Sequence, residues 1–138
     1  TPINEPAKLQ IDGAQGTTSF ADNYSGLQAI DGDPETYWST APNETSKAGI
    51  TFLFKEAKTI SSLNMFFVAE PVGLLPKEVI LSTPNGESRE ITFRGLAGWE
   101  SASFEALTTD TFILTPTSYF SVGSPSFVNI YELELYGY

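Results

Sequence analysis

The chain has 138 residues and a formal charge of −10, from 7 basic and 17 acidic side chains, with neither cysteine nor histidine. Disulfides, thiolate or imidazole metal sites and histidine-based catalysis are therefore excluded, and any hydrolysis would have to rest on carboxylates. The charge sets most of the surface against a phosphate backbone or an anionic membrane, so nucleic acid is not an expected partner.

The length suits one domain over Thr1–Tyr138, and 41% hydrophobic with 13% aromatic residues can furnish its core without a metal as main organiser. Thr1–Ala7, with two prolines, reads as a lead-in from a preceding domain. A weak strand is expected around Leu9–Ile11 and a single helical turn around Ser25–Ile30. Short β-branched and aromatic runs then predict strands over Ala48–Phe54, Thr59–Val68, Lys77–Ser82, Glu90–Phe93, Ala102–Phe104, Thr111–Thr115 and Phe127–Tyr136. Pro84-Asn-Gly-Glu87 reads as a hairpin turn, because asparagine and glycine tolerate positive φ. The pattern is that of an all-β sandwich. No run approaches the roughly 18 apolar residues that a membrane span needs.

Ala29-Ile-Asp-Gly-Asp-Pro-Glu-Thr-Tyr-Trp38 packs oxygen donors tightly. Asp31, Asp33 and Thr36 present side-chain oxygens, Gly32 lets the backbone bend, and Pro34 stiffens the turn. Such a loop suits a hard cation such as calcium, and it equally suits an ordinary Asp/Gly/Pro surface turn with a capping threonine. Trp38 reads as a core plug, with Tyr37 facing outward. In the last strand, alternation puts Glu132 and Glu134 on one face and Tyr131, Leu133 and Leu135 on the other, which is the core face.

The loop resembles the A-x-D-G-[DN]-x-x-T-x-W signature of the discoidin, or coagulation-factor type C, superfamily, which includes the bacterial carbohydrate-binding modules of family 32. Gly49-Ile-Thr-Phe-Leu-Phe54, Lys58-Thr-Ile-Ser-Ser-Leu63, Leu75-Pro-Lys-Glu-Val-Ile-Leu-Ser82 with Asn85-Gly86, and Phe127-Val-Asn-Ile-Tyr-Glu-Leu-Glu-Leu-Tyr-Gly137 are similar to that family's strands in the same order. The resemblance implies a jelly-roll β-sandwich of galactose-binding type with about eight main strands. It also implies a structural Ca2+ held by the Gln28 carbonyl, Asp31, Asp33, Thr36 and Glu132, with Glu134 as the second choice to Glu132. Three carboxylates would make a high-charge cage that favours calcium over magnesium.

In that family sugars bind on loops, here Ser39–Lys47, Ala69–Pro76 and Pro116–Ser126. Tyr119 and Phe120 offer a platform for a sugar's C–H face, with Asn43, Glu44, Lys47 and Glu70 as partners for its hydroxyls. The family's galactose-type sites use a histidine, an arginine and an asparagine in the first two loops. This chain has no histidine and Pro71-Val-Gly-Leu-Leu-Pro76 lacks both arginine and asparagine, so that site does not carry over residue by residue. Leu74-Leu75 and Tyr119-Phe120 as membrane spikes would want basic neighbours, and only Lys47 and Lys77 are candidates. Trp99 and Arg94 form a further edge patch, read as partial packing. The Glu132/Glu134 pair has the look of a glycosidase dyad but matches a noncatalytic position. The expectation is a noncatalytic glycan-binding module of a larger secreted, periplasmic or surface bacterial protein. The alternative is a protein-interaction or adhesion domain that uses the same loops.

Overall fold

The structure is a computed structural model that describes residues 7–16, 26–33, 35–40, 49–68, 74–120 and 128–137. Among them run β1 (Ala7–Lys8), β2 (Gly13–Gly16), a 3₁₀ turn (Gly26–Ala29), β3 (Trp38–Ser39), β4 (Ile50–Phe67), β5 (Leu75–Ser82), β6 (Ser88–Thr92), β7 (Gly98–Phe120), β8 (Asn129–Ile130) and β9 (Glu132–Gly137). The main sheet is ordered β1-β9-β4-β7-β5-β6, β2 adds to β4, and β3 with β8 forms a separate two-stranded ribbon. Every pairing between these strands is antiparallel.

The all-β expectation holds, but two pairs of expected strands are single elements. Ala48–Phe54 and Thr59–Val68 merge into β4, and Ala102–Phe104 and Thr111–Thr115 merge into β7. The polar stretches that looked like breaks are irregularities within paired strands: the β4/β7 register shifts between Leu53 and Lys58 and again between Ile60 and Ser62. At the first shift the Lys55 N–H leaves the ladder for Asp12 Oδ2, at 2.8 Å. An inserted residue turns the alternation over. Ile50, Phe52 and Ile60 are buried at even positions, and Leu63, Met65 and Phe67 at odd ones. Side chains from both halves of β4 and β7 join one hydrophobic core, so the long strands serve both layers of a sandwich.

β7 also runs past the Thr115 end expected from sequence. Pro116 cannot donate to a ladder. It is tolerated because it lies opposite Val79 at a register shift, where Ser118 Oγ accepts from the Glu78 N–H at 3.2 Å. The hairpin at Asn85-Gly86 forms as read, with Gly86 at φ 94° and Thr83 N–H bonded to the Glu87 carbonyl at 2.9 Å.

Trp38 is fully buried, as its position in the motif suggested. Gly16 lies against its indole so closely that a Cβ there would be 2.0 Å from Nε1. β3, which carries Trp38, was not expected from sequence. Two residues paired with Asn129–Ile130 are too short to show a period.

Candidate functional site

The motif loop leaves the 3₁₀ turn at Ala29 and reaches β3 at Trp38. Its bends are made by its own carboxylates: Asp31 Oδ1 accepts the Asp33 N–H at 3.0 Å, and Asp33 Oδ1 accepts the Glu35 N–H at 2.9 Å. Gly32, between them, sits at φ 81° with open space where a side chain would be, a backbone state that favours glycine.

Thr36 Oγ1 lies at the centre of the loop. It is 3.0 Å from the Asp33 carbonyl, 3.5 Å from the Gln28 carbonyl and in short contact with Asp31 Oδ2. A hydroxyl has one proton to give, so it cannot satisfy three acceptors at once. Oxygens gathered around too few protons are a donor set suited to a hard cation. Among the described residues no three His, Cys, Asp or Glu side chains are drawn together to hold an ion. The three-carboxylate cage is therefore not assembled here, and carbonyl and hydroxyl oxygens make up most of the gathered set.

Glu132, on β9, is the long-range partner. Its Oε2 accepts the Gly32 N–H at 3.2 Å, while Oε1 is buried with no hydrogen-bond partner. Only 2% of the residue is exposed. Burial, helped by the neighbouring Asp31 carboxylate and opposed by the Gly32 bond, pushes its carboxyl up to about 8. An orphaned buried carboxyl oxygen is one a cation could satisfy, so the donor chemistry suits the implied group although the three carboxylates are not drawn together. Glu134 is engaged elsewhere. It pairs with Lys8 Nζ at 2.9 Å and accepts the Tyr136 hydroxyl at 2.9 Å. Burial pushes its carboxyl up, but these bonds and the Lys8 charge outweigh that and hold it below the ordinary glutamate range.

The β3–β8 ribbon links this loop to a second region. In one direction the two strands lead to Thr36 and Glu132; in the other they end at Thr40 and Val128. There the Thr40 N–H bonds the Val128 carbonyl at 3.0 Å, and the Val128 N–H returns to Thr40 Oγ1 at 2.9 Å. Val128 also bridges to Leu74, whose carbonyl accepts the Asn129 N–H at 2.9 Å. Thr40, Leu74 and Val128, each next to the end of a strand, thus meet at one point. Asn129 is fully buried there with both side-chain polar atoms unpartnered, a feature that sequence reasoning missed. Its signal was a lone polar residue between Val128 and Ile130.

No family model matches the sequence, and no curated protein does. Solved structures do match. A chitosan-binding module from a Paenibacillus sp. IK-5 chitosanase/glucanase is 18% identical, with 96% of this chain and 100% of that one covered at a TM-score of 0.72. The family 32 carbohydrate-binding module of C. perfringens NanJ, solved in complex with galactose, is 19% identical over 90% and 92% of the two chains, with a TM-score of 0.70. An F5/8 type C domain from Bacteroides fragilis is 17% identical over 96% of each chain, with a TM-score of 0.71. The chain has the discoidin-type fold. At these identities the likeness speaks for the fold.

Within the discoidin-type fold the expected sugar residues fall unevenly. Asn43, Glu44, Lys47 and Glu70 lie outside the described residues. Tyr119 and Phe120 are not loop residues but the end of β7, opposite Pro76 and Leu75. Phe120 is packed: its ring meets Phe67 edge-on at 6.2 Å, and Lys77 Nζ stands 6.0 Å from the ring centre. Tyr119 is half-buried, and burial pushes its hydroxyl up. Both residues sit at the end of β7 paired with the start of β5, which follows Leu74 in the chain.

Proposed function

We propose that the chain is a noncatalytic glycan-binding module of a larger secreted or surface-displayed bacterial protein. It would hold its sugar at the rim where the Thr40, Leu74 and Val128 ends converge. The observation that carries the reading is that convergence, in a fold whose solved relatives include a chitosan-binding module and a galactose complex. Tyr119, paired with Pro76 at the end of β7, is the aromatic residue proposed for it, with Asn43, Glu44, Lys47 and Glu70 as the proposed hydroxyl partners. No helix among the described residues is long and apolar enough to cross a membrane. Attached to an enzyme, such a module raises the local concentration of polysaccharide even when each contact is weak.

The loop at Asp31 would hold a structural calcium. Its ligands would be the Gln28 carbonyl, the Asp31 and Asp33 carboxylates, Thr36 through hydroxyl or carbonyl, and Glu132. Bound there, calcium supplies charge neutralisation and a crosslink. The residues themselves do the positioning: Glu132 ties the loop to β9, and the β3–β8 ribbon carries that constraint to Thr40 and Val128 at the rim.

The test is a glycan screen on the purified 138-residue chain, followed by calorimetry with any hit and repeated on Tyr119→Ala. A hit whose affinity falls at least tenfold in the variant, with unchanged melting, supports the rim. No sugar bound, together with capture by a neighbouring domain of the parent protein, would replace this reading with a protein-interaction module.

A further inference from the structure

The register of β7, β4 and β9 lines up three rows on the main sheet, turned away from the core and open except at Glu132, which the Gly32 loop covers. Trp99, Phe66 and Glu132 form one row; Ser101, Asn64 and Glu134 the next; Ser103, Ser62 and Tyr136 the third. The same strands turn Leu63, Met65, Phe67, Leu133 and Leu135 to the core. At strand spacing the rows make a face of roughly 10 Å by 13 Å.

One end of this face is aromatic. Trp99 is 45% exposed, and Phe66 steadies it edge-on at 5.4 Å between ring centres, so its free face is presented with little rotamer freedom to lose. The remainder is a connected polar array across four strands. Ser101 Oγ donates to Asn64 Oδ1 in a short contact, Asn64 bonds the Glu134 carboxyl, and Glu134 takes Tyr136 OH at 2.9 Å and Lys8 Nζ at 2.9 Å. The Lys8 and Glu134 charges cancel locally, which leaves hydroxyl and amide groups as the exposed chemistry. Beyond β9 the face runs into an open groove of about 390 Å³, where Leu9, Ile11 and Ile30 lie beside Lys8, Glu132 and Glu134.

The geometry points to a second glycan site on this face, separate from the rim. A neutral oligosaccharide would lie across β7, β4 and β9, with one ring stacked on Trp99 and its hydroxyls bonded to Ser101, Asn64 and Glu134. An aromatic plate followed by fixed hydroxyl, amide and carboxylate partners matches the alternating C–H and O–H surface of a sugar chain. An anionic chain is disfavoured by the −10 charge of the whole chain. A protein partner would want a contiguous apolar centre, and on these rows only Trp99 and Phe66 are apolar.

The two tryptophans make the test selective, because Trp38 is fully buried and only Trp99 can be reached by acrylamide. The probes are cellohexaose, β-1,4-mannohexaose and N-acetylchitohexaose, with an oligoguluronate as the anionic control. At least one neutral probe should protect Trp99 from quenching and shift its emission to the blue, and the oligoguluronate should do neither. Asn64→Ala should weaken that protection about tenfold, the size expected for one lost hydrogen bond at a site. Trp99→Ala, made in the Tyr119→Ala background, should abolish the heat of binding that Tyr119→Ala alone retains, while melting stays unchanged. Tyr119→Ala should leave protection intact, which separates this site from the rim. Failure of all three neutral probes to protect Trp99, or native affinity in both Asn64→Ala and Trp99→Ala, overturns the proposal. So does quenching protection that rises with protein concentration without sugar, which would give the face to a second copy of the chain.

Discussion

The Gly32 N–H donates to Glu132 Oε2 at 3.2 Å, joining residues one hundred positions apart. Glu132 Oε1 is buried without a partner, and burial, helped by Asp31, raises the carboxyl's proton affinity. A buried charge without a partner costs several kcal/mol, so the carboxyl either keeps its proton or meets a cation. A cation, if it binds as proposed, would favour the carboxylate over the protonated form.

Calcium should therefore raise the melting temperature and EDTA lower it, since a ligand bound only by the folded chain stabilises by mass action. At a hundredfold excess over the dissociation constant the gain is about 2.7 kcal/mol. Asp31→Ala should erase the difference between the calcium and EDTA curves. Superimposable native curves in calcium and EDTA would remove the ion from this fold.

In EDTA, stability should fall as pH rises. Glu132 has a folded value of about 8 against an ordinary 4.5, so between those limits the folded chain holds a proton that the unfolded chain has released. The contribution is complete below the unfolded value and is lost as pH climbs through the folded one, at about 1.4 kcal/mol per pKa unit of difference. Glu132→Gln keeps the shape without the titration, so its melting temperature should decline less between pH 5 and pH 8. Saturating calcium should flatten the native curve, because the ion favours the carboxylate. Parallel native and Glu132→Gln profiles in EDTA would contradict the assignment.

The turn at Asp31 was legible because its chemistry is local: Asp31, Gly32, Asp33 and Thr36 fall close together in sequence and bond to one another. Alternation sets Glu132 and Glu134 together opposite Leu133 and Leu135, and only the resemblance prefers Glu132, which is the one that meets the loop at Gly32. The continuity of β4 and β7 was hidden, because Lys55-Glu-Ala-Lys58 and Thr108-Thr-Asp110 have no apolar period while their neighbours pair across bulges. The convergence of Thr40, Leu74 and Val128 depends on pairings between distant segments, and no local pattern encodes them. The outward row of Ser101, Asn64 and Glu134 was hidden for the same reason. Each residue is an ordinary polar position in its own strand, and only the register makes them neighbours.

Thr40→Val should cost about 2 kcal/mol, because it keeps the volume but leaves the Val128 N–H without its buried acceptor. Urea unfolding should show a lower midpoint with an unchanged slope. If the rim binds sugar, affinity should fall too, since the same bond fixes the ends of two segments. A midpoint within error of the native one would mean that the Val128 N–H finds another acceptor.

Two glycines of β2 should respond in opposite ways to alanine, although neither has a positive φ. At Gly16 the added Cβ would lie 2.0 Å from Trp38 Nε1 and 2.5 Å from Cε2, so the indole or the strand must shift. Trp38 is fully buried and cannot swing into solvent. Gly16→Ala should therefore cost about 1–3 kcal/mol, the range for overpacked cores. Because Trp38 begins the ribbon next to Thr36, the variant should also weaken the calcium-dependent rise in melting temperature. At Gly13 the added Cβ would meet Leu53 at 3.7 Å, an ordinary contact with a side chain that is 41% exposed. Gly13→Ala should be neutral or stabilising by about 0.5–1 kcal/mol, the strand penalty of glycine relieved. Paired melting curves with and without calcium decide it, and equal losses in the two variants would show that contact with Trp38 is not what keeps position 16 a glycine.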